Sequence, residues 1–350
     1  MAKIKVGFIG AGRISDLHYL GYVNNPEAEL HAVCARSRET LEKRRRTWNF
    51  AKAYTDYRDL LSDKEIDAVE ILTDQSSHME IAVAAMREKK HVSLQKPITP
   101  TIEEAETILA ETKRHSDIVF RVFDNFLSYP PIVFAKKLID DGAVGEPENI
   151  RMKMIAWNDS AGWDVPAAAW DWRIRENKSR RPRQTWDHGQ HLWSTAWYLM
   201  GEYERVKAWI DYNDDGTIDS PAAIMWRHRG KRKMGMCEYT YSDEVKFPAK
   251  YYSCDEWIEV TGPRGLIRIN GCSGDLLGQP SVSLFTTDGW RHFDHMDIDW
   301  ATSFTEGTRA FINMIRGGQE VFLRMEDAIK ILRFSFAIQD SDKTGQEVCL

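Results

Sequence analysis

The sequence has no run of about 18 apolar residues, so nothing in it reads as a membrane span. It has no basic excess either. Its 47 lysines and arginines stand against 53 aspartates and glutamates, a net charge of -6. That is the wrong sign for a surface that selects a phosphate backbone, so no nucleic acid partner is expected. Cysteine is scarce: Cys34, Cys237, Cys254, Cys272 and Cys349 are odd in number and scattered. They fit reduced thiols better than a disulfide framework or a zinc site. Met1-Ala2-Lys3-Ile4-Lys5-Val6 runs directly into a strand pattern and lacks a signal peptide's apolar stretch. Internal repeats and low-complexity segments are absent. A soluble, cytoplasmic protein is the expectation.

What is present is a chain of 350 residues, 43% apolar and 29% charged. At about 150 residues per domain, two domains are expected. Tryptophan is abundant. Of 13 in all, Trp157, Trp163, Trp170, Trp172, Trp186, Trp193 and Trp197 fall between residues 151 and 200.

The first third alternates strand and helix signals. Strands are predicted at Ile4–Ile9, Leu30–Ala35, Ala68–Leu72 and His91–Leu94. Ser77 with Glu80, and Thr101 with Glu104, read as capping boxes that open helices. Such alternation predicts βαβ units and a doubly wound parallel sheet, an α/β domain over residues 1–122. Beyond it the period changes to two. Ile150, Met152, Met154 and Ala156 alternate with Arg151 and Lys153, and similar alternation recurs at Val206–Tyr212, Met234–Tyr241, Trp257–Thr261 and Leu266–Ile269. Gly262-Pro263-Arg264-Gly265 supplies a hairpin turn between the last two. Two helices follow, one carrying Phe304, Thr308, Phe311, Ile312 and Ile315, the other near Asp327–Ile338. Residues 123–350 are therefore predicted as an α+β domain with a mostly antiparallel sheet.

Gly10-Ala11-Gly12-Arg13-Ile14-Ser15 follows the first strand and opens a helix. This is the dinucleotide fingerprint G-x-G-x-x-G with serine in the third place. Gly10 permits the tight turn, and Gly12 lets a pyrophosphate approach the backbone. The end of the second strand reads Ala35-Arg36-Ser37-Arg38. Ala35 cannot accept from a ribose hydroxyl, whereas Arg36, Ser37 and Arg38 suit a 2′-phosphate. The same residues also read as solvated positions opening a helix, like Lys43-Arg44-Arg45-Arg46 after them. NADP is slightly favoured by this chemistry, and NAD and NADP both stay open.

Two further segments carry chemistry. Gln95-Lys96-Pro97 ends a strand of the parallel sheet, where proline keeps the preceding lysine extended and its ammonium aimed toward the dinucleotide crevice. A surface lysine in a connecting loop is the alternative. In Trp186-Asp187-His188-Gly189-Gln190-His191-Leu192-Trp193, Asp187 and His191 are four apart and share a helical face, a carboxylate beside an imidazole suited to proton transfer. Here the alternative is a helix-capping aspartate with a core histidine behind it. His188 and His191 have no third ligand placed by the sequence, so no metal is expected. The run Lys178–Arg183 and the cluster His292–Asp299 read as solvated loops.

These segments resemble, almost end to end and in order, the Gfo/Idh/MocA oxidoreductases, named for glucose–fructose oxidoreductase and inositol dehydrogenase. The resemblance rests on Val6–Ser15, Ile66–Thr73 with Ser77-His78, His91–Pro97, Asp140–Pro147, Asp187–His191 and the closing helix before Asp340-Ser341. It implies a Rossmann domain and a second domain for substrate binding and homo-oligomer contacts. Lys96 matches the family lysine that hydrogen-bonds the reacting oxygen, His191 the histidine that exchanges the hydroxyl proton, and Asp187 the aspartate beside it. The cofactor-binding set is Gly10, Gly12, Arg13, Ile14, Ala35, Arg36, Ser37, Thr73, His78, Gln95 and Lys96. The substrate set is Lys96, Asn125, Trp186, Asp187, His191 and Trp193.

Departures are visible too. Gln95 stands where the family has glutamate, Trp193 where an aspartate is common, Leu127 where many members carry arginine, and Asp74 where proline is usual. The expectation is an NAD(P)-dependent enzyme that moves a hydride from a secondary hydroxyl of a sugar or glycoside. The tryptophans favour C3 of a pyranosyl O- or C-glycoside, because indoles stack on sugar faces. The alternatives are a redox-neutral NAD-dependent glycosidase or epimerase, and a non-catalytic nucleotide-binding regulator.

Overall fold

The computed structural model describes residues 2–157, 183–214, 216–242, 244, 250–252, 254–271, 279–319 and 323–350. Two compact units emerge: Met1–Asn125 with Ser303–Ile329, and Phe126–Thr302 with Lys330–Leu350.

In the first unit, β1 (Ile4–Ile9), β2 (Ala28–Cys34), β3 (Lys52–Tyr54), β4 (Ala68–Ile71), β5 (His91–Gln95) and β6 (Phe120–Phe123) alternate with five helices. These are α1 (Ser15–Leu20), α2 (Arg38–Arg45), α3 (Tyr57–Ser62), α4 (His78–Arg87) and α5 (Ile102–Arg114). The sheet order is β3-β2-β1-β4-β5-β6 and every pairing is parallel. Strand order reverses at β1, where β2 lies on one side and β4 on the other, and such a point opens a crevice at the strands' carboxyl ends. Every residue of β4 is buried, as a strand covered on both faces requires.

Local signals hold in part. Thr101 Oγ1 accepts from the Glu104 N–H at 3.2 Å and caps α5 as expected. Ser77 does not cap α4. A 3-10 turn over Gln75–Ser77 comes first, and Asp74 accepts from the Ser76 N–H at 2.8 Å. Ser77 Oγ points back to Thr73 Oγ1, and Glu80 pairs with Arg58. The cap moved because Ser77 is already helical, with φ -103° and ψ -4°.

The second unit contains α6 (Pro130–Asp140), β7 (Asn149–Trp157), a π-helical turn over Arg183–His188 and α7 (Gly189–Met200). After them come β8 (Tyr203–Ile210), β9 (Ala222–His228), β10 (Met234–Ser242), β11 (Cys254–Gly262), β12 (Gly265–Asn270), β13 (Val282–Thr286) and β14 (Gly289–Phe293). The chain closes with α8 (Thr302–Ile315), α9 (Met325–Thr344) and β15 (Val348–Cys349). One sheet of order β14-β13-β12-β11-β7-β10-β9-β8-β15 results, antiparallel except where β7 meets β10. One face is packed. The other exposes Trp209, Met225 and Trp290 along with Arg151 and Arg268.

A contiguous cut at residue 123 would leave α8 in the second domain. Its Phe311 and Ile312 are instead buried with Val6, Phe8, Leu30, Val33 and Trp48, in the core of the first unit. No described helix is long and apolar enough to cross a membrane. Among the described residues Cys34, Cys237, Cys254 and Cys349 form no disulfide; Cys272 lies outside the described residues.

Candidate active site

In the first unit, three loops meet the carboxyl edge of the sheet on adjacent strands: Gly10–Ile14 after β1, Leu72–Thr73 after β4, and Lys96 after β5. Gly10 has φ +108°, and a Cβ there would lie 2.7 Å from the Leu72 carbonyl carbon and oxygen. Only glycine fits. A Cβ on Gly12 would meet nothing within 4 Å, so the loop is open where a pyrophosphate would approach. Ser15, in the third fingerprint place, is fully buried and donates to the Gly12 carbonyl.

Arg44, on α2 within the run that reads as solvated, instead braces this loop. Its Nε donates to the Ala11 carbonyl at 3.1 Å and its Nη2 to the Gly12 carbonyl at 2.7 Å, while Asp16 takes the remaining arm. Trp48 lies beneath, with the guanidinium 4.5 Å from the ring centroid. The sequence clue was only a basic residue one helix away. Arg36 is exposed, and Ser37 caps α2 by accepting from the Thr40 N–H at 3.3 Å.

His78 was expected at the nucleotide. Its ring nitrogens are instead 3.0 Å from the carbonyls of Ile98 and Thr73. Burial pushes this imidazole's pKa below the ordinary histidine value, and a neutral ring donates to one of the two. His78 thus ties the Thr73 loop to the segment after Lys96, and its imidazole is not turned outward to a ligand. The ring is fully enclosed at the start of α4.

Gln95 is also buried. Its Oε1 accepts from the Lys96 N–H at 2.8 Å, and its Nε2 faces His18 Nε2 at 3.1 Å. His18 Nδ1 contacts Glu70, which also accepts from the Tyr22 hydroxyl at 2.6 Å. Glu70 is wholly buried. Burial opposes its ionisation, but His18, Arg121 and Tyr22 together hold the carboxyl below its usual range. Arg121 itself is pushed down to about 10 by burial, and it donates to Ser93 Oγ at 3.0 Å. Asn125 Nδ2 donates to Ser303 Oγ at 3.0 Å, so one N–H of this expected substrate contact is used inside the unit.

The second unit holds the acid–base candidates. Asp187 is in the π-helical turn, and His191 in the first turn of α7. Asp219, which the sequence reading did not single out, anchors the start of this segment. It accepts from the backbone N–H of Gln184 at 2.6 Å, from that of Thr185 at 2.7 Å and from Thr185 Oγ1 at 2.8 Å. Nothing local marks Asp219, which lies more than 30 residues downstream of its partners. His191 stacks on Phe126 with ring centroids 4.5 Å apart and 15° between planes, which fixes the imidazole.

Trp193 is not at a ligand surface. It is fully buried, donates to the Thr185 carbonyl at 3.1 Å, and packs edge-on to Trp226 and Phe334. A Cβ on Gly189 would lie 2.6 Å from its Nε1, so the glycine within D-H-G-Q-H makes room for this indole. Trp186 is likewise buried, edge-on to Phe336 at 4.8 Å. Both therefore build the core behind the helix. Helix periodicity turns the large side chains inward here. Trp163, Trp170, Trp172 and the basic run 178–182 lie outside the described residues. In the cluster 292–299, Asp299 pairs with Lys250 and accepts from Tyr251 at 2.9 Å, a loop clasp.

Residues 4–123 match the oxidoreductase family with an NAD-binding Rossmann fold, and residues 132–268 match the GFO/IDH/MocA C-terminal domain. The chain belongs to the Gfo/Idh/MocA oxidoreductase family. Among similar proteins, myo-inositol 2-dehydrogenase of Thermotoga maritima is 29% identical over 99% of this chain and 98% of its own length. Levoglucosan dehydrogenase of Pseudarthrobacter phenanthrenivorans is 29% identical over 59% of this chain, a match spanning about half of that protein, 54%. The solved levoglucosan dehydrogenase complex with NADH and L-sorbose superposes with a TM-score of 0.84 at 22% identity, covering 100% of this chain and 99% of that one. A scyllo-inositol dehydrogenase from Lactobacillus casei gives 0.78 at 20%, covering 99% of each chain. At those identities the structures establish the shared fold. As a Gfo/Idh/MocA oxidoreductase, the chain carries an NAD-binding Rossmann domain, and Gly10, Gly12 and Lys96 lie on its sheet edge.

Proposed function

We propose that the protein is an NAD(P)-dependent dehydrogenase of a secondary hydroxyl on a cyclic polyhydroxylated substrate, a sugar or glycoside. One observation carries the reading: Lys96 follows β5 at the same carboxyl edge as the open Gly12 turn after β1. An ammonium at that edge suits a reacting oxygen beside a nicotinamide. Bound dinucleotide supplies the hydride acceptor, and the chain supplies alignment and charge. Lys96 is assigned the hydrogen bond to the substrate oxygen, His191 the removal of its proton, and Asp187 the support of that imidazole. The names of relatives acting on levoglucosan and inositol favour a ring substrate.

Oxidation at C3 of a glycoside is the finer form of this proposal. The burial of Trp186 and Trp193 withdraws two of the seven indoles that favoured it. We further assign the exposed apolar positions of the second sheet, Trp209, Met225 and Trp290, to contacts within a homo-oligomer.

Nicotinamide absorbance tests the reading. Wild type, Lys96→Met and His191→Asn are compared on free sugars, inositols, O-glycosides and C-glycosides, with NAD and NADP supplied separately. Reduction with one substrate class, lowered by about 100-fold or more in each variant, is the expected result. Silence on the whole panel with dinucleotide bound would overturn it in favour of a nucleotide-binding regulator. Released aglycone without net reduction would favour the redox-neutral glycosidase.

A further inference from the structure

Strand β11 begins Cys254-Asp255-Glu256, and residues two apart on a strand project to the same face. Both Cys254 and Glu256 are buried, Glu256 completely. The last residue of the π-helical turn, His188, reaches this face, with Nε2 2.6 Å from Glu256 Oε1. One donor atom from each of His188, Cys254 and Glu256 lies within 4.8 Å of the other two.

That set has the composition and size of a metal site. A tetrahedral zinc ion with nitrogen and oxygen donors at about 2.0–2.2 Å and sulfur at about 2.3 Å needs donors roughly 3.3–3.8 Å apart. The mix of nitrogen, sulfur and oxygen excludes calcium and magnesium as the preferred ions, since these take oxygen, and suits borderline ions of the zinc class. Charge fits as well: a thiolate and a carboxylate together neutralise a divalent ion, which would take the place of the direct His188 contact to the buried Glu256. His188 Nδ1 is a buried nitrogen with no hydrogen-bond partner among the described residues.

A second cluster, His31, Asp63 and Glu65, has similar dimensions. There Lys52 already bridges Asp63 and Glu65, and Lys5 pairs with Glu65. Ammonium groups supply the positive charge, which leaves nothing for a metal to do.

We propose that His188, Cys254 and Glu256 bind one divalent transition-metal ion of the zinc class. With three protein ligands, the fourth position is left for water or a ligand oxygen, the pattern of an open site. It lies beside His191, whose ring centroid is 5.8 Å from that of His188. The sequence offered His188 and His191 as a pair. The fold instead completes a set around His188 with residues more than 60 positions away.

Cobalt(II) titration of the chelator-treated full-length protein tests this by absorbance. Saturable 1:1 binding is expected, with a thiolate-to-cobalt charge-transfer band that zinc abolishes by displacement. Cys254→Ser should lose that band, and Glu256→Gln should weaken binding by about tenfold or more. Circular dichroism confirms folding of each variant. If Cys254→Ser does not fold, His188→Asn, at a partly exposed position, is titrated in its place. Absence of a 1:1 band in wild type, or an unchanged band in the folded variants, would overturn the site. Binding is read without turnover, so this result and a failure of the dehydrogenase reading are separable.

Discussion

Gln95 Nε2 lies 3.1 Å from His18 Nε2, and the direction of that hydrogen bond is settled by the Lys96 backbone. The Lys96 N–H must meet an oxygen, which it finds in Gln95 Oε1 at 2.8 Å. The amide NH2 therefore faces His18, whose Nε2 accepts and whose Nδ1–H donates to Glu70. A polar chain runs from the backbone of the proposed catalytic lysine to a buried carboxylate. Substitution of the family's glutamate by glutamine is consistent with this chain, because an amide can accept at one end and donate at the other.

Gln95→Met leaves the Lys96 N–H and His18 Nε2 without this partner. A loss of about 2–4 kcal/mol is expected, read as a lower melting temperature. Gln95→Glu puts a carboxylate opposite His18 Nε2 and requires a proton between them. Its stability relative to wild type should then fall as pH rises from the ordinary glutamate value of about 4.3 through neutrality. A flat difference across that range would show that the amide direction is not what the Lys96 N–H dictates.

Gly10 and Gly12 should respond differently to the same added methyl. Gly10→Ala drives a Cβ into the Leu72 carbonyl at 2.7 Å and forces φ +108° on an L-residue, so it should lower the melting temperature sharply. Gly12→Ala meets no protein atom within 4 Å and should melt like wild type. Its dinucleotide affinity should nonetheless drop by about tenfold or more, measured by titration. Equal melting of the two variants would contradict the geometry.

Arg44→Met removes the donors to the Ala11 and Gly12 carbonyls while keeping most of the side chain over Trp48. Weaker NAD binding by about tenfold, equivalent to about 1.4 kcal/mol, is expected with little change in kcat. A kcat effect without a binding effect would place Arg44 elsewhere in function.

His228 sets a pH limit on stability. Its Nδ1–H donates to the Gly201 carbonyl at 2.9 Å, and its Nε2 accepts from Trp226 Nε1–H at 2.7 Å. Burial pushes its pKa down to about 4. The unfolded chain, with a histidine near 6.5, takes up the proton first as pH falls. Stability from this group is therefore full above about pH 6.5. It declines by about 1.4 kcal/mol per pH unit until the folded ring protonates near 4. A His228→Phe variant should lose that acid-side slope in its melting profile.

Contiguous spacing was enough for much of the first unit. The Gly10–Gly12 turn, the Thr101 cap and Lys96 at the end of β5 are each written within a few neighbouring residues, so backbone sterics and local hydrogen bonds specify them. The Gly262–Gly265 hairpin was legible for the same reason. Short strands such as β3 and β9 escaped because three to seven residues of ordinary composition carry little periodic signal.

The sequence by itself determined the family, the doubly wound sheet and the glycine loop, because these follow from local pattern. Only the tertiary structure decided which way the large and charged side chains face. Trp193 looked like a ligand contact and became core, because α7 turns that face onto Trp226 and Phe334. Arg44 looked solvated and became a brace for the nucleotide loop. Asp219 and the His188–Cys254–Glu256 cluster had no local mark at all. Their partners lie tens of residues apart, and long-range packing alone selects which of the many buried or half-buried polar groups meet.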